Sequence, residues 1–231
     1  MIKIDNLTKV YGNTTVLDLD KLEIPAGESF GLVGNNGAGK TTMFRCILDL
    51  IRPNSGTVQS RGTNVSRAET WKTYTGSYLD DGFLIDFLTP EEYFTFIADV
   101  YGLSEGDITS FFNDFKEFFS NEILGKKKLI RDFSSGNRQR IGIAGALMPK
   151  PEIIILDEPF TSLDPTTQIR LKMILKNLKE NQGVTLLISS HDLNHITEVC
   201  ERILILQEGQ IVHDLKTNQD TLKVLEEYFT A

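Results

Sequence analysis

Apolar and polar positions alternate from the start of the chain. The pattern predicts strands over residues 2–7 and 17–24, separated by a turn at Gly12-Asn13. Ser29-Phe30-Gly31-Leu32-Val33 is a short apolar run of the doubly buried kind. A glycine-rich loop follows it, and then Thr41–Leu50 with helical spacing. Pro53-Asn54-Ser55-Gly56 is a turn signal, and Thr73–Leu79 predicts another strand. Further strands are expected at Ile153–Leu156, Val184–Ser189, Ile203–Leu206 and Gln210–Val212, the last two around a Glu208-Gly209 turn. Helical patterns cover 136–147, Thr166–Asn181, His191–Glu201 and a segment near 218–229. Strands alternating with helices imply an α/β fold with a mainly parallel sheet covered on both faces. The pattern changes over 83–120, where Phe and Tyr recur at helical spacing, as in Tyr93, Phe94, Phe111 and Phe115. This predicts a small helical lobe whose aromatics form its core or present a face to a partner helix.

The 231 residues suffice for one large domain or a core with a small lobe. The net charge of −8 argues against a surface-wide nucleic-acid binder, and no nucleic-acid partner is expected. A local exception is KKKLIRDFSSGNRQR, residues 126–140, with six basic residues and one acid. Cys46 and Cys200 lie in apolar, helical contexts and are expected to be reduced, buried thiols. No Cys/His spacing has the form of a metal site, so His191, His195 and His213 are not expected to ligate one. The N-terminus reads as a strand and not as a signal peptide. No apolar run approaches the ~20 residues of a membrane helix. The expectation is a soluble, cytoplasmic chain, with any membrane span supplied by another chain.

Residues 34–41, Gly34-Asn35-Asn36-Gly37-Ala38-Gly39-Lys40-Thr41, fit G-x-x-x-x-G-K-[ST] between a predicted strand and helix. Glycines let backbone N–H groups turn inward around phosphates, and the helix directs its positive end at the same point. Lys40 is placed for the β- and γ-phosphates and Thr41 for Mg²⁺, with Thr42 next in the helix. Tyr11 either stacks on an adenine ring or is a plain strand-end tyrosine. Ile153–Leu156 ends in Asp157-Glu158. Ligands of parallel sheets bind at the carboxyl ends of strands. Asp157 is therefore placed to hold the metal's hydration shell, and Glu158 to orient or deprotonate an attacking water. His191 follows a second apolar strand. It is either a helix-start residue capped by Ser190 or, beside the other elements, a γ-phosphate contact.

The order Tyr11, Gly34–Thr41, Ser134–Gly136, Asp157-Glu158, Ser162-Leu163-Asp164, His191 resembles the ATP-binding subunit of ABC transporters over essentially the whole chain, and the single-cassette bacterial exporter subunits in particular. The resemblance implies a phosphate-loop ATPase core with an N-terminal antiparallel portion and an inserted helical lobe. The chain would be one domain, 1–231, with the core at 1–80 and 150–231 and the lobe at 81–149. It implies ATP and Mg²⁺ as cofactors and catalytic roles for Lys40, Glu158 and His191. Phe133-Ser134-Ser135-Gly136-Asn137 is similar to the family's signature, usually Leu-Ser-Gly-Gly-Gln. By that likeness two subunits, two identical copies on this reading, meet head to tail, and Ser134, Ser135, Gly136 and Asn137 cap the ATP of the other chain. Asp164 belongs to the subunit-contact loop. Residues near 83–132 would dock on an integral membrane chain, holding the subunit at the inner face of the membrane and driving export.

Three departures stand out. Phe133, Ser135 and Asn137 replace the usual Leu, Gly and Gln. The family's glutamine after the strand at 73–79 is missing from Ser77-Tyr78-Leu79-Asp80-Asp81-Gly82, so Asp80 or Asp81 takes its place as a candidate metal ligand. Phe160 stands where a threonine is usual and has no rationale in the sequence. Lys126–Lys128 reads as a solvated face. Against the transporter reading stand a soluble ATPase acting on ribosomes or chromosomes and a phosphate-loop kinase. A single cassette without heptads disfavours the first, and a signature segment the second.

Overall fold

The computed structural model describes residues 1–230. In chain order the elements are β1 (Ile2–Tyr11), β2 (Thr14–Ile24), β3 (Ser29–Val33), α1 (Lys40–Ile47), β4 (Ser55–Ser60), β5 (Thr63–Asn64), β6 (Thr75–Tyr78), α2 (Pro90–Tyr101), α3 (Glu105–Asp114) and α4 (Lys116–Phe119). They continue as α5 (Ser135–Leu147), β7 (Ile153–Leu156), α6 (Pro165–Gln182), β8 (Thr185–Ser189), α7 (Leu193–Val199), β9 (Arg202–Gln207), β10 (Gln210–Lys216) and α8 (Thr221–Thr230).

Two sheets form. The smaller is antiparallel in the order β2-β1-β4-β5. The larger runs β10-β9-β3-β8-β7-β6, parallel except for β10. Its strands read as continuous apolar runs because both faces are covered. Ile153 and Ile155 enter one buried cluster with β1, β2, β4 and α1, while Ile154 and Leu156 enter the other with the helices. The strand period of two divides a single run between two cores.

The register sets the site. Leu32 is opposite Ser189, and Leu156 is opposite both Ile188 and Tyr78. The carboxyl ends of β3, β6, β7 and β8 therefore finish at one edge. The loop after β3, Asp157-Glu158, Asp80-Asp81 and His191 all leave from that edge.

Between β6 and α5 the chain makes α2, α3 and α4. Thr89 and Glu92 form a capping box at α2, and Ser104 and Asp107 form one at α3. Phe94 is fully buried, with the ring centroid of Phe111 at 5.4 Å and those of Phe112 and Phe119 each at 5.6 Å. Most of the lobe's aromatics are thus core. Phe83, Phe87, Phe96, Val100 and Tyr101 remain exposed.

Two local expectations change. Ser55 and Gly56 do not end a turn but open β4, which the turn-like composition of the segment concealed. The helix after β8 starts at Leu193 and not at His191, and its cap is Asp192, which accepts from the Asn194 N–H at 2.9 Å. Ser190 instead accepts from the Asp192 N–H, so His191 lies in the connecting loop.

Candidate nucleotide site

The loop Gly34–Gly39 is clamped from two sides. A Cβ at Gly34 would lie 2.3 Å from the Leu206 carbonyl oxygen of β9. One at Gly39 would lie 2.7 Å from the Val16 carbonyl oxygen of β2. Gly39 also has φ 110°, a left-handed value that glycine adopts freely. Both glycines are therefore required by close backbone approach. Lys40 is buried, and its Nζ donates to the Gly34 carbonyl at 2.7 Å, folding the loop around the ammonium. The same Nζ is 3.7 Å from Glu158 Oε1.

Thr41 Oγ1 donates to Asp157 Oδ2 at 2.5 Å. Ser189 Oγ donates to Asp157 Oδ1 and accepts from the Glu158 N–H at 2.9 Å. Burial pushes the Asp157 carboxyl above its ordinary range, while the Ser189 and Thr41 hydroxyls draw it down. Glu158 has φ 49°, uncommon for a residue with a side chain. The chain turns there, and the two carboxylates part: Asp157 meets Thr41 and Ser189, and Glu158 meets Lys40 and His191. Glu158 Oε2 accepts from the His191 N–H at 3.2 Å and lies 2.8 Å from His191 Nδ1. Lys40, Thr41, Asp157, Glu158 and His191 are thus brought together, as sequence order suggested.

Other candidates stand apart from that group. Tyr11 is half exposed, with Lys9 Nζ 4.8 Å over its ring. Asp80 accepts from the Gly82 N–H at 2.8 Å and pairs with Arg45 at 3.3 Å, and no hydrogen bond joins it to Thr41 or Asp157. Asp81 accepts from Tyr78 Oη and Arg138 Nε. Ser134 caps α5 by accepting from the Asn137 N–H at 3.3 Å. Ser134 and Ser135 are exposed, so this helix presents its positive end to solvent. Asn137 Oδ1 accepts from the buried Arg140, whose other partners are the Phe118 carbonyl and Glu122. Asp164 caps α6 through the N–H groups of Thr166 and Thr167. Among the described residues no hydrogen bond joins Ser134–Asn137 to the phosphate loop. Lys126–Lys128 is exposed, as expected of a solvated face.

Three contributors escaped the sequence reading. Ser189 holds both acidic residues in place, and its only signal is its position at the end of β8. Gln139 donates to the Glu158 carbonyl at 3.0 Å, tying α5 to the acidic turn. Phe160 is buried, with its ring centroid 4.5 Å from that of His195. It joins the acidic turn to α7, which follows His191.

The family model for ABC transporters matches residues 17–161. The chain is 35% identical over 225 residues to the bacitracin transport ATP-binding protein BcrA of Enterococcus faecalis, covering 95% of this chain and 70% of that protein. It is 34% identical to the lantibiotic transport ATP-binding protein SrtF of Streptococcus pyogenes, covering 99% of this chain and 96% of that protein. Its fold matches the ATP-binding cassette MJ0796, a dimer in a post-hydrolysis state bound to ADP and Pi, with TM-score 0.84 and 26% identity over 94% of this chain and 99% of that one. The chain belongs to the ABC transporter family and is an ATP-binding, ATP-hydrolysing subunit of such a transporter.

Proposed function

We propose that two copies of this chain close head to tail around two ATP molecules. Each Gly34–Thr42 segment holds one nucleotide, and each Ser134–Asn137 segment caps the nucleotide of the other copy. The observation that carries this is the split within the chain. The phosphate loop gathers Lys40, Asp157, Glu158 and His191, while Ser134–Asn137, at the exposed, positive start of α5, makes no hydrogen bond to any of them; α5 reaches the acidic turn only further along, through Gln139. Such a helix start is a site for an anion, and a second copy supplies one.

Within each site Lys40 draws the β- and γ-phosphates to the loop. Glu158, held by His191, accepts the proton of the attacking water. His191 fixes the carboxylate and faces the γ-phosphate, and Tyr11 stacks on the adenine. Thr41 and Asp157 offer two oxygens side by side at 2.5 Å, a donor set that suits Mg²⁺. Mg²⁺ there would neutralise charge on the phosphates. Few protein ligands are needed, since this ion keeps several waters. No group of three or more His, Cys, Asp or Glu able to hold a metal occurs among the described residues. Asp80, bonded to Arg45, enters the metal's shell only if it leaves that pair on closure.

The core comprises 1–80 and 150–231, and 81–149 is the lobe that receives the membrane chain. Its exposed Phe83, Phe87, Phe96, Val100 and Tyr101 are the apolar surface available for that contact. No helix among the described residues is long and apolar enough to cross a membrane. The subunit then works at the cytoplasmic face through that chain. Its relatives named for bacitracin and lantibiotic transport support outward movement of a compound of that kind.

The test is Glu158→Gln, which keeps shape but removes the base, measured by light scattering with and without MgATP. ATP should convert monomer to dimer, and adding Ser134→Arg should abolish this. A Glu158→Gln protein that stays monomeric with ATP bound overturns closure by two copies.

A further inference from the structure

Two residues of this chain hold the signature segment from outside it. Arg138, on the first turns of α5, uses its guanidinium as a bridge. Its Nε donates to Asp81 Oδ2 at 2.8 Å, and its Nη1 donates to the Phe133 carbonyl at 2.9 Å. Phe133 is the residue before the cap Ser134, so Arg138 fixes the point where the signature enters the helix. The other oxygen of Asp81 accepts from Tyr78 Oη at 2.5 Å.

Tyr78 is itself buried, its ring against α5, and a Cβ on Gly142 would fall 2.1 Å from its Cε2. Its carbonyl accepts from the Asp157 N–H at 3.0 Å. Asp80 stiffens the same loop by capping Gly82. A continuous chain of bonds therefore runs from Asp157, in the chain's own nucleotide site, through Tyr78, Asp81 and Arg138 to Phe133.

We propose that Asp81 is a positioning residue for the signature segment: acting through Arg138, it sets Ser134 and Gly136 at the angle from which they meet the ATP of the second copy. This rests on the head-to-tail reading above. Arg138 and Asp81 are partly exposed, so their Coulomb attraction alone is modest. The value of the pair lies in geometry. A planar guanidinium with two fixed acceptors holds direction as well as distance, which a lysine would not do.

The experiment uses the full chain carrying Glu158→Gln as parent, with ATP-driven dimerisation followed by light scattering. ADP affinity, which reads each chain's own phosphate loop, is measured by fluorescence titration. Asp81→Asn and Arg138→Gln should each raise the dimer dissociation constant about tenfold, or ~1.4 kcal/mol. ADP affinity and the unfolding midpoint should stay at the parent's values. Asp81→Glu should recover part of the loss. The double variant should be no weaker than Arg138→Gln alone, because that change already removes the bond that Asp81→Asn weakens.

Parent-like dimerisation of either single variant overturns the inference. So do additive losses, or an equal fall in ADP affinity. If an Asp81 variant does not fold, Arg138→Lys decides alone: it keeps the charge and loses the bridge, and dimerisation at the parent's level overturns the inference. A parent that stays monomeric with ATP removes the head-to-tail reading and the inference with it. A dimerising parent with unaffected variants removes only the inference.

Discussion

Gly136 is constrained by its own chain as well as by any partner. A Cβ there would lie 2.5 Å from the Ser162 carbonyl oxygen, almost 1 Å inside ordinary contact. Ser162 has φ 62°, already left-handed, and sits between the acidic turn and the cap of α6. A backbone oxygen in such a turn yields poorly. Gly136→Ala sets two terms against each other. Alanine in a helix is worth at most ~1 kcal/mol over glycine, and less in a first turn. Forcing an extra carbon into a packed site costs about 1–3 kcal/mol. The net expectation is a loss of up to ~2 kcal/mol, read as a lower urea midpoint at unchanged slope. Gly106→Ala is the control. It lies in α3, and a Cβ there would meet only Ser104 Oγ, at 3.6 Å. It too lies in a first turn, so that variant should gain only up to ~0.5 kcal/mol. ATP hydrolysis should fall at least tenfold in Gly136→Ala, because the Ser162 turn and the first turn of α5 move apart, while ADP affinity should hold. Equal stabilisation by the two alanines, with full ATPase activity in both, would refute the reasoning.

Phe160→Ala removes a buried ring and should cost ~3–5 kcal/mol by denaturant unfolding. A cost below ~1 kcal/mol would show that the acidic turn does not lean on α7 through this ring. His195 supplies a pH effect. Burial lowers its pKa from the ordinary 6.5, with Asp192 drawing it up, Lys172 down, Glu198 up and His191 down. The unfolded state then binds more protons just below pH 6.5, so stability should fall as the pH drops through 6.5 toward the lowered value. His195→Gln should flatten that part of a melting-temperature profile, and an unchanged slope would assign it to other groups. Asp164→Ala takes a cap from α6 and should cost ~1 kcal/mol in the same denaturation assay.

The nucleotide half of the site was legible because its signals are local. Gly34–Thr41 is a contiguous run, and Asp157-Glu158 follows directly on an apolar strand. Each fixes its own place at a strand end, and the parallel register then aligns the ends. β4 was not legible for the converse reason. S-G-T-V-Q-S has a single large apolar residue and the composition of a turn. It becomes a strand because β1 and β5 pair with it on either side, and because Gly56 lets it pass within contact of Asn6, where a Cβ would meet the carbonyl oxygen at 2.1 Å. Tertiary pairing outweighs propensity there.

The same distinction separates Arg138 from Lys126–Lys128, although both belong to one basic stretch. The sequence already separates the three lysines, a solvated face, from Arg138 and Arg140, which line the signature helix, but it names no partner for either arginine. The acidic partners of the two arginines do not lie near them in sequence: Asp81, which pairs with Arg138, comes before the whole helical lobe, and Glu122, which pairs with Arg140, lies in the segment that follows α4. Only the packing of α5 on Tyr78 brings Asp81 within reach, and only the absence of a side chain at Gly142 lets Tyr78 come so close. Gly142→Ala therefore tests the arrangement from a residue that carries no charge and touches no nucleotide. It should displace Tyr78, lengthen the Asp81–Arg138 pair and weaken ATP-driven dimerisation in the Glu158→Gln protein, as Asp81→Asn does. A Gly142→Ala protein that dimerises like its parent would mean that α5 tolerates the shift, and that the start of the signature helix is held by Arg140 and Gln139 instead.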